Sequence, residues 1–295
     1  MRTKRAILVL RQAQDEEYRN SAPMDSPMRI EANGISFVCR IDGPEGAPWL
    51  TFSNSLNTNF SLWDGQVARL AGRYRILRYN TRGHDGTDST PGPWQLEDLA
   101  GDIVGLWDEL GIARSHFVGL SIGGMTGQAL ALGWPERIGA FVLADTRADF
   151  TGEFARFVPQ LIARVAAEGL GPLVEEMPSR WFTAEVMAAR PELVAQARRL
   201  IASNSVEGYV SCAGAMTWLN YLDRLHEIDL PTLLICGAQD IGTPASGMRE
   251  MAKRIANSRY VEIDPAGHLS NIENPASFDA ALEPFLDAHR ELVAT

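Results

Sequence analysis

Short apolar runs and stretches of helical period alternate along most of the chain. Residues 28–31 and 35–41 alternate apolar and polar positions around Ala32-Asn33-Gly34. An Asn-Gly turn between two such segments predicts a β-hairpin. Beyond the Gly- and Pro-rich loop 43–48, residues 49–53 predict a short buried strand. Leu62, Gln66, Val67 and Leu70 then repeat at helical spacing, and Gly72 closes that helix. Residues 74–79 predict the next strand, followed by a polar loop over 80–93. A helix over 96–110 carries Leu99, Ile103, Leu106 and Leu110 on one face and ends at Gly111. A strand at 116–118, a helix beginning after Ser121 and a strand over 138–144 continue the series.

This alternation predicts the α/β class, with a mostly parallel sheet covered on both faces and the hairpin adding antiparallel pairing at its start. Between about 146 and 228 the pattern changes. Helical periodicity dominates there (154–168, 170–182, 191–204 and 206–219), with no strand-like run, which predicts a helical cap inserted above the sheet. Strands resume at 231–236 and 260–263, and a helix over 277–290 closes the chain. The organisation read from the sequence is therefore a core of residues 28–145 and 229–295, a helical cap over 146–228, and an extension over 1–27. Within that extension Arg2, Lys4 and Arg5 precede only five apolar residues. Arg11 ends the run, and Asp15-Glu16-Glu17 stand where a cleavage site would be. A short extension fits better than a signal peptide.

Composition narrows the function classes. A formal charge of −10 on 295 residues opposes binding to a phosphate backbone or an anionic membrane. No apolar run reaches the length of a membrane span. The three cysteines, Cys39, Cys212 and Cys236, are far apart, odd in number and without metal-ligand spacing. They read as buried, reduced thiols of a cytoplasmic protein, with no metal site. A homo-oligomer stays open.

Candidate chemistry concentrates at Gly119-Leu120-Ser121-Ile122-Gly123, between a short apolar strand and a helix. A serine on a sharp strand-to-helix turn stands clear of the backbone, where a carbonyl carbon can reach it. Glycines two residues to either side leave that turn room. The helix N-terminus would bring unpaired N–H groups beside a developing oxyanion. A serine hydroxyl needs a base, and the base needs a group to fix its tautomer. His268 lies in Asp264-Pro265-Ala266-Gly267-His268, directly after the last strand, and is the candidate base. His84, His116, His226 and His289 are placed less well. Two acids follow strand ends, Asp240 and Asp145. Asp240 is favoured, with Pro244 opening a helix behind it, and Asp145 is the alternative. The oxyanion donors are expected at the backbone N–H groups of Ile122 and of Leu56, in the loop after strand 49–53.

With Phe52-Ser53-Asn54-Ser55-Leu56, Arg78-Tyr79-Asn80-Thr81-Arg82-Gly83-His84, Gly119-Leu120-Ser121-Ile122-Gly123-Gly124-Met125 and Gly267-His268-Leu269-Ser270-Asn271-Ile272-Glu273 together, the chain resembles the α/β-hydrolases. Within them it resembles the 3-oxoadipate enol-lactonase branch, over about residues 28–290. The resemblance implies the α/β-hydrolase fold and a cofactor-free hydrolase of a small, acidic lactone or ester, acting through an acyl-enzyme. The sequence departs from that pattern at Asn80, at Asp85 and in the cap segment 215–219. Arg147 is a candidate contact for a substrate carboxylate, and Trp181, Met216 and Trp218 are candidate pocket residues. Two other readings stay open. One is a general carboxylesterase or cofactor-free perhydrolase of the same fold, and the other is a non-catalytic receptor for a small acid.

Overall fold

The computed structural model describes residues 26–294. The extension expected over 1–27 lies, up to residue 25, outside the described residues. A hairpin of β1 (Met28–Ala32) and β2 (Ile35–Asp42) turns at Asn33-Gly34, both with positive φ as a type I′ turn requires. The other strands are β3 (Trp49–Ser53), β4 (Arg75–Tyr79), β5 (Ser115–Leu120), β6 (Ile138–Ala144), β7 (Thr232–Gly237) and β8 (Ser258–Ile263). They form one eight-stranded sheet in the order β1-β2-β4-β3-β5-β6-β7-β8. β2 pairs antiparallel with β1 and β4, and every pairing from β4 through β8 is parallel. This is the mostly parallel α/β sheet, opened by an antiparallel hairpin, that the alternating pattern predicted.

Every residue of β5, β6 and β7 is buried, which is why their centres read as short apolar runs and not as alternating ones, with the polar Ser115, His116 and Thr232 at the strand starts buried as well. The helices α1 (Asp64–Leu70), α2 (Leu96–Glu109) and α3 (Ile122–Gly133) follow β3, β4 and β5 in turn. α2 packs against α3 and β1. Its start is held by a reciprocal cap, in which the Gln95 N–H donates to Asp98 Oδ2 at 2.8 Å.

Between β6 and β7 the chain is helical, with α4 (Gly152–Glu168), α5 (Gly171–Glu176), α6 (Pro178–Trp181), α7 (Ala184–Ala189), α8 (Pro191–Ala202) and α9 (Val206–Met216). Its neck is closed by an antiparallel bridge of Asp149 with Asn220, and the Ala148 carbonyl accepts the N–H groups of Tyr221 and Leu222. The helix expected over 170–182 is broken in two, with Pro178 opening the second piece because proline lacks the N–H that would continue the first. α7 was not expected, since its sequence shows no apolar period.

The start of α9 sits on the loop after β4 almost backbone to backbone. Ser205 Oγ donates to the Gly83 carbonyl at 3.1 Å and accepts the Gly208 N–H at 2.9 Å. A Cβ on Gly208 would lie 2.1 Å from that same Gly83 carbonyl oxygen, so no other residue fits without displacing the contact. After β7 come α10 (Ala245–Arg254), the single turn α11 (Ser270–Glu273) and α12 (Pro275–Ala288). α12 packs against α1, β7 and β8. Cys39, Cys212 and Cys236 are buried free thiols. Burial pushes the Cys39 thiol up to about 12 and raises the other two further.

Candidate active site

Four of the residues singled out in the sequence lie just beyond the C-terminal ends of neighbouring strands, the edge where ligands bind in open parallel sheets. Ser121 follows β5, Asp145 follows β6, Asp240 follows β7 and His268 follows β8. Ser121 has φ 57° and ψ −118°, a conformation costly for a side chain with a Cβ. The surroundings enforce it. Its N–H donates to the Ala144 carbonyl at 3.0 Å, and its carbonyl accepts Thr146 Oγ1 at 2.7 Å and the Met125 N–H at 3.0 Å. The flanking glycines are required by contact. A Cβ on Gly119 would lie 2.3 Å from the Gly123 carbonyl oxygen, and one on Gly123 would lie 2.5 Å from that of Ser53. The bend is thus pressed against the end of β3, the strand that leads into the Leu56 loop.

That loop is pinned at both ends. Asn54 Nδ2 donates to the Tyr79 carbonyl at 2.7 Å, and the Ser55 carbonyl accepts the N–H and Oγ1 of Thr58 at 3.1 and 2.7 Å. Asn57 takes a positive φ of 62° between them. Among the described residues, the N–H groups of Leu56 and Ile122 donate to no protein acceptor. Ile122 opens α3, so its N–H also lies at the positive end of that helix.

His268 Nδ1 meets Asp240 Oδ2 at 2.8 Å. Asp240 is itself held by the N–H groups of Gly242 and Thr243 on Oδ1, at 2.7 and 3.0 Å, and by Thr243 Oγ1 on Oδ2 at 2.5 Å. A carboxylate so supplied with donors accepts the Nδ1 proton, which leaves Nε2 with its lone pair. Burial disfavours the imidazolium, but the charge and hydrogen bond of Asp240 outweigh it, so His268 titrates above its ordinary value. Burial likewise opposes the Asp240 carboxylate, and His268 and Thr243 prevail, holding it below the usual range. Ser121 and His268 are each 7% exposed, and among the described residues no hydrogen bond joins their side chains.

Asp145, the alternative acid, is fully buried and occupied elsewhere. Its Oδ1 accepts the Gly237 N–H at 2.7 Å, and Ser270 Oγ donates to its Oδ2 at 2.5 Å. Burial and the nearby Asp240 charge push it up to about 8. It therefore braces β7 against the His268 loop and does not meet Nδ1.

The proposed pocket residues divide. Arg147 is engaged at the neck of the helical insertion. Its Nε donates to the Asp149 carbonyl at 2.7 Å, an Nη pairs with Asp149 Oδ1 at 3.0 Å, and the guanidinium lies 4.3 Å from the Phe154 ring centroid. Trp218 is 63% exposed. α9 ends at Met216, and the turn that follows carries the indole outward, whereas an extended helical period had placed it inside. Met216 and Trp181 are buried, and the Trp181 carbonyl accepts the His268 N–H at 2.8 Å.

Sequence reasoning missed Arg180, the residue before Trp181. It is half-buried, and among the described residues its guanidinium has no hydrogen bond or carboxylate, only the Phe157 ring at 4.1 Å. Its charge also weighs against the His268 imidazolium. No spacing rule marks such a residue. Thr243, which holds Asp240, was likewise not singled out.

Comparison with known proteins gives a consistent result. The family model for the alpha/beta hydrolase fold matches residues 48–275. The 3-oxoadipate enol-lactonase 2 of Acinetobacter baylyi is 38% identical over 255 residues, which cover 86% of this chain and 94% of that protein. The crystal structure of the enol-lactonase from Burkholderia xenovorans LB400 superposes with a TM-score of 0.85 at 38% identity, covering 88% of this chain and 100% of that one. A thermophilic esterase from Thermogutta terrifontis, solved with malate bound, gives a TM-score of 0.82 at 28% identity, over 92% of this chain and 100% of its own.

Proposed function

The chain belongs to the α/β-hydrolase family as an ester or lactone hydrolase, and from that premise we propose that Ser121, His268 and Asp240 carry acyl transfer to water. The observation that carries this reading is the 2.8 Å pairing of His268 Nδ1 with Asp240, at the sheet edge where Ser121 is held in a strained bend. Ser121 Oγ attacks the carbonyl carbon as Nε2 of His268 takes its proton. The N–H groups of Leu56 and Ile122 bind the tetrahedral oxyanion, each contributing about 3 kcal/mol to the transition state. The imidazolium, held by Asp240, protonates the leaving oxygen. The same imidazole then takes a proton from water as water attacks the acyl-enzyme, and Ser121 is released. We infer that residues 146–228 form a cap over this site.

The substrate we infer is a small lactone or ester bearing a carboxylate, most like 3-oxoadipate enol-lactone. Enol-lactonase relatives support it, and so does Arg180, a cation that meets no carboxylate among the described residues and lies in the peptide segment that touches the His268 loop. An enol is a better leaving group than an alkoxide, which suits a site whose acid step rests on one imidazole. The esterase neighbour favours, as a second reading, a carboxylesterase with the same machinery.

The test is labelling with a fluorophosphonate, followed by rates on an enol-lactone and on p-nitrophenyl acetate. A Ser121 adduct and faster turnover of the anionic lactone are expected. Arg180→Met should raise KM about tenfold for the lactone and leave the neutral ester unchanged, as for loss of one half-exposed charge-assisted contact. Faster turnover of the neutral ester would favour the carboxylesterase, and absence of any adduct would favour a receptor.

A further inference from the structure

Cap residues 181–183 and the loop 267–273 that carries His268 are joined by bonds that the acyl-transfer steps do not use. The Trp181 carbonyl accepts the N–H groups of His268 and Leu269 at 2.8 and 3.3 Å. Glu273, 8% exposed, spans the same gap with its carboxylate. Its Oε1 accepts the Thr183 N–H at 2.8 Å and Thr183 Oγ1 at 2.5 Å, and its Oε2 accepts the Gly267 N–H at 2.6 Å. Arg190 Nη1 adds a bond to the Ile272 carbonyl at 3.2 Å.

We propose that Glu273 is a positioning residue that ties the cap to the base loop and so fixes the reach of His268 toward Ser121. The proposal rests on the reading of His268 as the base. A buried carboxylate taking three donors from two elements holds both in place, because each bond to it is stronger than a neutral one. Gly267 is the residue before His268, so a shift at its N–H is carried into the imidazole. Proton transfer needs Nε2 within about 3 Å of Oγ, and a displacement of about 1 Å costs up to about a hundredfold in rate. The cap cannot lift at residue 183 without loosening the base.

Glu273→Gln in the full-length protein tests this. Glutamine keeps the volume but turns an NH2 group toward a donor on one side, so one arm is lost. We expect kcat on p-nitrophenyl acetate to fall about tenfold, with KM changed less than about twofold. Fluorophosphonate labelling of Ser121 should slow in parallel while its final stoichiometry stays full. Unchanged kcat and labelling rate would overturn the proposal. So would a loss of kcat matched by a loss of labelled fraction, which would make Glu273 a purely structural residue. Thr183→Val removes the hydroxyl arm, together with the long cap bond of 3.4 Å that Thr183 Oγ1 accepts from the Val186 N–H, and decides the matter if Glu273→Gln does not fold. About threefold lower kcat is expected, again at constant KM, and wild-type kcat would overturn the proposal. Activity retained by Ser121→Ala or His268→Ala would instead sink the underlying reading of the site.

Discussion

Replacing Asp145 by asparagine should change how stability depends on pH while leaving the fold intact. Asp145 is fully buried at φ 42°, between the Gly237 N–H and Ser270 Oγ. Asparagine tolerates positive φ, its amide oxygen can accept from Gly237, and its NH2 group can donate to Ser270. The aspartate has an ordinary value of 3.8, and burial plus the Asp240 charge push it up to about 8. Between those limits the folded chain keeps a proton that the unfolded chain has released. The stability this group contributes is whole below about pH 4 and is lost as pH rises through about 8. At about 1.4 kcal/mol per pH unit, the fall from pH 5 to pH 8 has an upper bound of about 4 kcal/mol. Urea unfolding at the two pH values, for wild type and Asp145→Asn, measures it. Wild type should lose between about 1 and 4 kcal/mol more than the variant over that interval. If the two proteins lose stability in parallel, Asp145 is ionised in the folded protein and does not carry the pH dependence.

Asp240→Asn should lower kcat about a thousandfold or more with little change in KM, since nothing then holds the Nδ1 proton in place. Activity above about a tenth of wild type would give the acid's role to another group. The kcat/KM profile should fall as pH drops through the raised pKa of His268, because the base must be neutral, and in Asp240→Asn that limb should move to lower pH. A limb at the same pH in both would separate Asp240 from the titration. Gly123→Ala puts a methyl 2.5 Å from the Ser53 carbonyl oxygen and should cost about 1–3 kcal/mol in thermal unfolding while slowing fluorophosphonate labelling. Wild-type stability there would mean that the bend has slack.

The parts legible in the sequence were those set by local pattern. β3 and β6 fall on the expected residues, because a buried parallel strand is a bare apolar run bounded by turn residues. Ser121, Asp240 and His268 were marked by the turns that carry them. What the sequence did not reveal depends on contacts made across many residues. Glu273 meets Thr183 from 90 positions away, and nothing near either residue announces it. Arg147 looked available because Asp149 and Phe154, which occupy it, matter only once the neck is folded. The departures at Asn80 and Asp85 look like unrelated changes, yet Asn80 Nδ2 donates to the Asp85 carbonyl at 3.0 Å and lies 3.5 Å from its Oδ2. An aspartate at 80 would set two carboxylates together, so the two positions are tied by contact.

The contact of Gly83 with Gly208 bears on how this enzyme can be diversified. Where two main chains meet with no room for a side chain, the helical segment between β6 and β7 cannot be treated as an interchangeable module. A transplanted segment would need to bring its own glycine to the seam, or the two main chains would be forced apart. Variation in the helical segment between β6 and β7 is therefore to be sought away from Gly83 and Gly208, with the seam left untouched.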